Sequence, residues 1–276
     1  MLHPTTDLTP AAWLAVDADD FGGTVGELLP AGFETYLRVF HRPDQGLPDD
    51  ESAASWAEVA RRHGTVLHPE AQWVAIAGGR DLSLHRPGDP ESPSDQPLTG
   101  SLDPLTLRRL AHHLARHTTT PDACHAALWN GTGKAPEGWH DFPMFRRPFR
   151  SYWLFPAVPV LEVPPLSVEL EVLGMEEQAH SPGGLTGMAT FGREPTHTDG
   201  TRWAQWSREQ GFVQSPSYWW PEDHSWVVHS EVDHDSTVIA GGADLAADLL
   251  ADAEIECLRV TRRTSLWAIA DRINYP

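Results

Sequence analysis

The 276-residue chain has few basic residues, and their scarcity limits the partners that it can bind. Twenty Lys and Arg residues stand against 39 Asp and Glu residues, the net charge is −19, and Lys134 is the only lysine. Because phosphate contacts depend on Lys and Arg, we expect no interaction with nucleic acid. The same charge disfavours an anionic membrane surface and favours a basic protein partner.

Cysteines and long apolar runs are also scarce. Cys124 and Cys257 are the only two cysteines and are far apart, so the chain has neither a disulfide framework nor a CxxC pattern. Residues 1–10 lack the basic and apolar regions of a signal peptide. No apolar run reaches the roughly 18 residues that a membrane span needs. These absences predict a cytoplasmic protein without a membrane segment.

The common catalytic motifs are missing as well. The chain contains no GxSxG, no HExxH, no P-loop and no strand-bound GxGxxG. Their absence favours a binding protein over an enzyme and gives no reason to expect a cofactor, although it leaves enzymatic activity open.

What the chain does have is concentrated in residues 214–242. Between positions 225 and 233, apolar and polar residues alternate, which predicts a half-buried strand with His229, Glu231 and Asp233 on its exposed face. Residues 237–240 either continue this strand or return as a second strand after a turn. Gly241-Gly242 ends the pattern, and a helix should follow.

The remaining segments predict a mixture of helices and strands. Ser55 and Glu58 fit a capping box, and Asp103-Pro104 fits a helix start. We expect a single α+β domain over residues 1–276, with a mainly antiparallel sheet and flanking helices. The other predicted elements are strands at 33–40, 124–129, 152–163 and 255–260, a terminal helix at 264–272, a Pro-rich surface loop at 86–100, and long loops at 130–150 and 181–200.

An excess of acid near the C-terminus provides the first functional hypothesis. Ten Asp and Glu residues and no Lys or Arg lie between Pro221 and Leu258. We expect an acidic, inhibitor-like binding protein, of the immunity or antitoxin type, that engages a basic protein partner. A small basic cluster that includes Arg150 should dock onto the acidic half of the chain itself. The predicted binding residues are Trp219, Trp220, Asp223, Trp226, Glu231, Asp233 and Asp235.

Two alternatives use the same stretch. One histidine and two carboxylates can hold a divalent metal or place an acid beside a base, so His229, Glu231 and Asp233 are candidates for a metal-dependent enzyme. Alternate residues of a strand lie about 6.6–7 Å apart, so this triplet needs a bulge to share one ion. The other alternative is a small-molecule binder with a pocket lined by Trp219, Trp220 and Trp226, unless these large rings belong to the core.

Several segments resemble a group of proteins from high-GC bacteria with no known activity. The resemblance rests on WWPEDHSW (219–226), on Glu231-x-Asp233, and on the glycine pair before a leucine-rich helix. The segments YLRVFHRP (36–43) and ALWNGTG (127–133) extend it over most of the chain, which implies one domain. Because that group usually has another residue at the position of His229, the resemblance favours Glu231 and Asp233 as the functional pair.

Overall fold

An eight-stranded antiparallel sheet organises the chain. The computed structural model describes residues 3–15, 23–43, 55–78, 97, 99–132, 137–147, 149–163 and 215–274. The strand order is β3-β4-β2-β5-β6-β7-β1-β8, and every neighbouring pair is antiparallel. The strands are β1 Thr35–Phe40, β2 Cys124–Trp129, β3 Phe145–Arg147, β4 Arg150–Leu154, β5 Tyr218–Pro221, β6 Val227–Ser230, β7 Ser236–Gly241 and β8 Cys257–Val260.

Helices lie against this sheet. They are α1 Val25–Leu28, α2 Trp56–His63, α3 Trp73–Ile76, α4 Pro104–Arg116 and α5 Ala243–Ala251, with 3₁₀ turns at Thr9–Ala11, Asn130–Thr132, Glu137–Asp141 and Val160–Glu162. The predicted α+β fold with a mainly antiparallel sheet is confirmed. Among the described residues, no helix is both long and apolar enough to cross a membrane.

Local sequence signals fix the helix ends where the prediction placed them. Ser55 Oγ accepts a hydrogen bond from Glu58 N at 3.2 Å, and Glu58 Oε2 accepts one from Ser55 N at 3.1 Å, so the capping box of α2 is complete. Gly64 ends α2 with a φ of +70°, a conformation that glycine adopts without strain. At the start of α4, Asp103 Oδ1 accepts from the backbone N–H groups of Leu105 and Thr106.

Strands β5, β6 and β7 form the centre of the sheet. Tyr218 pairs with His229 across β5 and β6, and Val228 pairs with Ile239 across β6 and β7. The chain therefore returns after a turn, which decides between the two possibilities left open for residues 237–240. The prediction of a half-buried strand is wrong, because all four residues of β6 are buried.

The sheet separates two apolar cores, one on each face. Successive residues of a strand point to opposite faces, so Trp219 and Trp220 enter different cores. The core with Trp219 also contains buried leucines of α4 and α5, and the core with Trp220 is closed by the N-terminal segment and Leu266. Burial on both faces explains why β6 has no exposed side.

Of four other predicted segments, the structure corrects two and describes little or nothing of the remaining two. The predicted 130–150 loop is wrong in part, because it contains β3 and the start of β4, whose backbone groups pair with each other. The predicted terminal helix at 264–272 is also wrong, because that segment consists of turns. Only residues 97, 99 and 100 of the predicted 86–100 loop are described, and the predicted 181–200 loop lies outside the described residues.

Candidate functional site

The turn between β6 and β7, residues 231–235, borders a cavity of about 380 Å³, called here the turn cavity. The backbone N–H of His234 donates to the carbonyl oxygen of Glu231 at 3.0 Å and closes the turn. The groups that line the cavity include three acids of the turn, one arginine, one histidine and three aromatic rings: Glu231, Asp233, Asp235, Arg150, His234, Trp73, Phe149 and Trp267.

Arg150, the first residue of β4, binds two of the three acids. Its Nε donates to Glu231 Oε1 at 2.6 Å, and its Nη2 donates to Asp233 Oδ2 at 2.5 Å. The guanidinium carbon lies 4.7 Å from the centre of the Trp129 ring, a cation–π distance. The expected docking of the basic cluster onto the acidic half is therefore confirmed for Arg150.

Glu231 connects the turn cavity to a buried histidine. His229 is fully buried, its Nδ1 donates to the carbonyl oxygen of Ser217 at 2.8 Å, and its ring stacks on Tyr218 at 3.9 Å. The other ring nitrogen, Nε2, lies 3.6 Å from Glu231 Oε2. Although burial opposes ionisation, His229 and Arg150 lower the pKa of Glu231 to about 2. Glu231 is therefore a carboxylate at neutral pH.

Asp235 anchors the other end of the turn through a buried arginine. Arg38 Nη2 donates to Asp235 Oδ1 at 3.1 Å, while Arg38 Nε donates to Ser236 Oγ at 2.7 Å. Arg38 Nη1 donates to the carbonyl oxygens of Pro69 at 3.0 Å and Ala71 at 2.7 Å. The arginine side chain is only 1% exposed, so its charge depends on these partners.

In the described part of the chain, the carboxyl groups of the turn outnumber the guanidinium groups that bind them. Two guanidinium groups, those of Arg38 and Arg150, face the three carboxyl groups of Glu231, Asp233 and Asp235. Burial lowers the pKa of His234 to about 4, so this side chain is neutral at pH 7. Of the three carboxyl groups, that of Asp233 faces solvent, because its side chain is 76% exposed.

Asp223, another predicted binding residue, lies elsewhere. It follows β5 at the Pro221 end, whereas the turn cavity lies beyond the end at which Tyr218 pairs with His229. Asp223 Oδ2 accepts from both the N–H and the hydroxyl of Thr119 at 2.6 Å. Desolvation raises the pKa of Asp223, but hydrogen bonds from Thr119 and Ser225 outweigh this effect and hold the pKa well below its usual value. Asp223 therefore does not lie with Glu231, Asp233 and Asp235 at the turn cavity.

The three predicted tryptophans have no exposed surface. Trp219, Trp220 and Trp226 are each 0% exposed, and none of them lines the turn cavity. Trp226 Nε1 donates to the carbonyl oxygen of Leu114 at 3.0 Å, which fixes this ring against α4. The predicted Trp-lined pocket is wrong, because these rings fill the two cores instead.

The predicted metal triplet does not assemble either. Because β6 ends at Ser230, Glu231 and Asp233 lie in a turn while His229 points into the core. Arg150 binds both carboxylates and brings a positive charge to the position between them. In the described part of the chain, no group of three or more His, Cys, Asp or Glu residues is arranged to hold a metal ion.

Sequence reasoning found three acids of the turn cavity but missed most of its other lining residues. Trp73, Phe149 and Trp267 are far apart in sequence, and nothing in their local patterns relates them. No protein-family model, curated protein or solved structure matches the chain. The resemblance to the group of high-GC bacterial proteins stays a prediction, and the function must be argued from the geometry.

Proposed function

We propose that this protein is a cytoplasmic, inhibitor-like binding protein that engages a basic protein partner, and that a Lys or Arg side chain of the partner enters the turn cavity. The observation that carries the proposal is the exposed carboxylate of Asp233 in a cavity whose lining includes three aromatic rings. Carboxylates and aromatic faces both attract cations, and the net charge of −19 attracts a basic partner over a longer distance.

The size of the turn cavity fits such a ligand. Its volume of about 380 Å³ lies near the lower end of the range of about 300–1,000 Å³ that is typical of ligand sites. That space suits a single long side chain or a small molecule. Trp267 is 47% exposed and borders the cavity, so a cationic group approaching from solvent would meet an aromatic surface beside Asp233.

The two cysteines support the proposed location. Both are free, with Cys124 buried and Cys257 partly buried. Free thiols are typical of proteins that work in a reducing compartment.

Peptide binding tests the proposal. The probe is a short Arg- and Lys-containing peptide without apolar side chains, titrated by calorimetry into the wild type and Asp233→Asn at low and at physiological salt. We expect Asp233→Asn to weaken binding by a factor of about 1.4 to 5, since exposed ion pairs are worth roughly 0.2–1 kcal/mol. Salt should also weaken binding, because the Debye length falls to about 8 Å at physiological ionic strength.

The matched control is Asp122→Asn, which makes the same change of charge. Asp122 is exposed and lies in the turn before β2, at the opposite end of the sheet from the turn cavity. This variant should bind the peptide as the wild type does. Equal affinities for all three proteins, or no binding by the wild type, would contradict the proposal.

A small organic cation is the second candidate ligand, and the volume of the turn cavity favours it. Arginine amide is a suitable probe, because it has a guanidinium group and no carboxylate. If it raises the melting temperature of the wild type but not of Asp233→Asn, the cavity binds small cations without a protein partner.

A further inference from the structure

Among the described residues, the most exposed large apolar side chains lie in two segments, residues 65–68 and 267–274, that hydrogen bonds join. Among the described residues, Ile269 is 67% exposed, Ile273 59% and Val66 54%, and these are the three highest values for large hydrophobic residues. Trp267, which is 47% exposed, borders the cavity itself. Together, Val66, Trp267, Ile269 and Ile273 are called here the apolar shoulder.

Hydrogen bonds hold the members of the apolar shoulder together. The Asn274 side chain accepts from Val66 N at 2.9 Å and donates to the Val66 carbonyl oxygen at 3.0 Å. Asp271 accepts from His68 Nε2 at 2.9 Å, while its own side chain is fully buried. The segment that carries Ile269 and Ile273 is therefore fixed against the segment that carries Val66.

Trp267 is fixed by close packing against the N-terminal part of the chain. A Cβ atom on Gly23 would lie only 1.6 Å from Trp267 Nε1, so the indole ring rests directly on the glycine backbone. The backbone N–H of the preceding residue, Leu266, donates to the carbonyl oxygen of Gly23 at 2.8 Å. Trp267 is thus a positioned aromatic surface, and it is the member of the apolar shoulder that borders the turn cavity.

Fixed apolar side chains that face solvent next to a charged cavity are typical of an interaction site. Exposed apolar patches rimmed by polar groups mark binding surfaces, and tryptophans often anchor them. The exposed carboxylate of Asp233 indicates that the group that binds beside the patch is cationic. A partner with an apolar surface but no cation would leave this carboxylate without a new counterion.

We infer that the partner presents an amphipathic basic segment, with a cationic side chain in the turn cavity and apolar side chains on the apolar shoulder. This inference rests on the proposed function and specifies the partner's surface. The basic residues supply attraction at Asp233, and the apolar residues cover Trp267 and Ile269. Burial of apolar side chains provides affinity that an exposed ion pair does not.

Two peptides of equal length and charge test the inference. One is basic with only Gly and Ser between its charges, and the other has leucines at helical spacing in place of some of these residues. The proteins are the wild type, Ile269→Ser/Ile273→Ser, and the control Leu161→Ser. Leu161 is 48% exposed and lies in the 3₁₀ turn Val160–Glu162, so its substitution makes a similar surface change away from the apolar shoulder.

We expect the amphipathic peptide to bind the wild type at least about ten-fold more tightly than the basic peptide, because apolar anchors commonly contribute a factor of this order. Ile269→Ser/Ile273→Ser should remove this advantage and leave binding of the basic peptide unchanged. Leu161→Ser should keep both affinities. Thermal melts establish that the variants are folded.

The possible failures are distinguishable. If both peptides bind with equal affinity and both depend on Asp233, the amphipathic inference fails while the proposed function stands. If neither peptide binds, both fail. If the wild type forms a dimer that Ile269→Ser/Ile273→Ser converts to a monomer, the apolar shoulder is a contact between two copies of this chain, and the inference is overturned.

Discussion

The buried pair of Arg38 and Asp235 should contribute strongly to stability, and Asp235→Asn tests this directly. The substitution keeps the shape of the side chain but leaves the Arg38 charge, which is 1% exposed, without its counterion. Breaking a buried pair costs about 3–5 kcal/mol. Because Asp235 is 16% exposed and an Asn oxygen still accepts a hydrogen bond, we expect the lower end, about 3 kcal/mol.

Urea unfolding of the wild type and the variant measures this loss. Domains have a free energy of unfolding of about 5–15 kcal/mol, so a loss of about 3 kcal/mol moves the midpoint clearly. A double-mutant cycle with Arg38→Met isolates the pair, and the double variant should lose at least about 1 kcal/mol less than the sum of the single losses.

An exposed ion pair provides the control. Arg109 Nε donates to Asp252 Oδ2 at 2.7 Å, but the Arg109 side chain is 48% exposed. Arg109→Met should cost at most about 1 kcal/mol, since solvent screens such pairs. If Asp235→Asn costs no more than Arg109→Met, water reaches the Arg38 charge and the reasoning is refuted.

Three other predictions follow from single groups. Because the pKa of Glu231 is lowered to about 2, against burial, by His229 and Arg150, its contribution to stability is complete above about pH 4.5 and is lost as the pH falls towards 2. The free energy of unfolding of Glu231→Gln should depend less steeply on pH in this range. Burial lowers the pKa of His234, so its NMR titration should have a midpoint near 4, and stability should fall between about pH 6.5 and 4 less in His234→Gln than in the wild type. Ser55→Ala should lower the free energy of unfolding by about 1 kcal/mol, and Ser55→Asp should not, because aspartate also caps a helix. A titration midpoint near 6.5 would contradict the prediction for His234. Equal stability of Ser55→Ala and the wild type would contradict the prediction for Ser55.

Elements with strong local signals could be predicted from sequence alone. The capping box at Ser55, the Asp-Pro start of α4 and the continuous apolar run of β2 each depend on neighbours within a few residues. The antiparallel sheet also follows from short strands separated by turns. These features need no knowledge of which segments meet in space.

The burial of β6 could not be predicted in this way. Alternation shows which side chains share a face, but it does not show whether a second layer covers that face. His229 is polar and yet fully buried, because Ser217, the residue before β5, provides a carbonyl acceptor and Tyr218 of β5 provides a ring. The residues next to His229 in the sequence do not indicate these partners.

The candidate site was predicted in part for the same reason. Glu231, Asp233 and Asp235 lie within five residues of each other, so the sequence alone shows that negative charge is concentrated there. Their guanidinium partners come from two other strands, β4 and β1. That Asp233 stays exposed after this pairing could be found only from the structure.

An NMR titration tests most directly the claim that the turn cavity binds a cation. The indole N–H signals of the tryptophans, assigned by single Trp→Phe substitutions, are followed while the basic peptide is added. We predict saturable shifts for Trp73 and Trp267, which line the turn cavity, and no shift for Trp226, which is buried against α4. Unchanged signals of Trp73 and Trp267 at saturation with the peptide would contradict the claim.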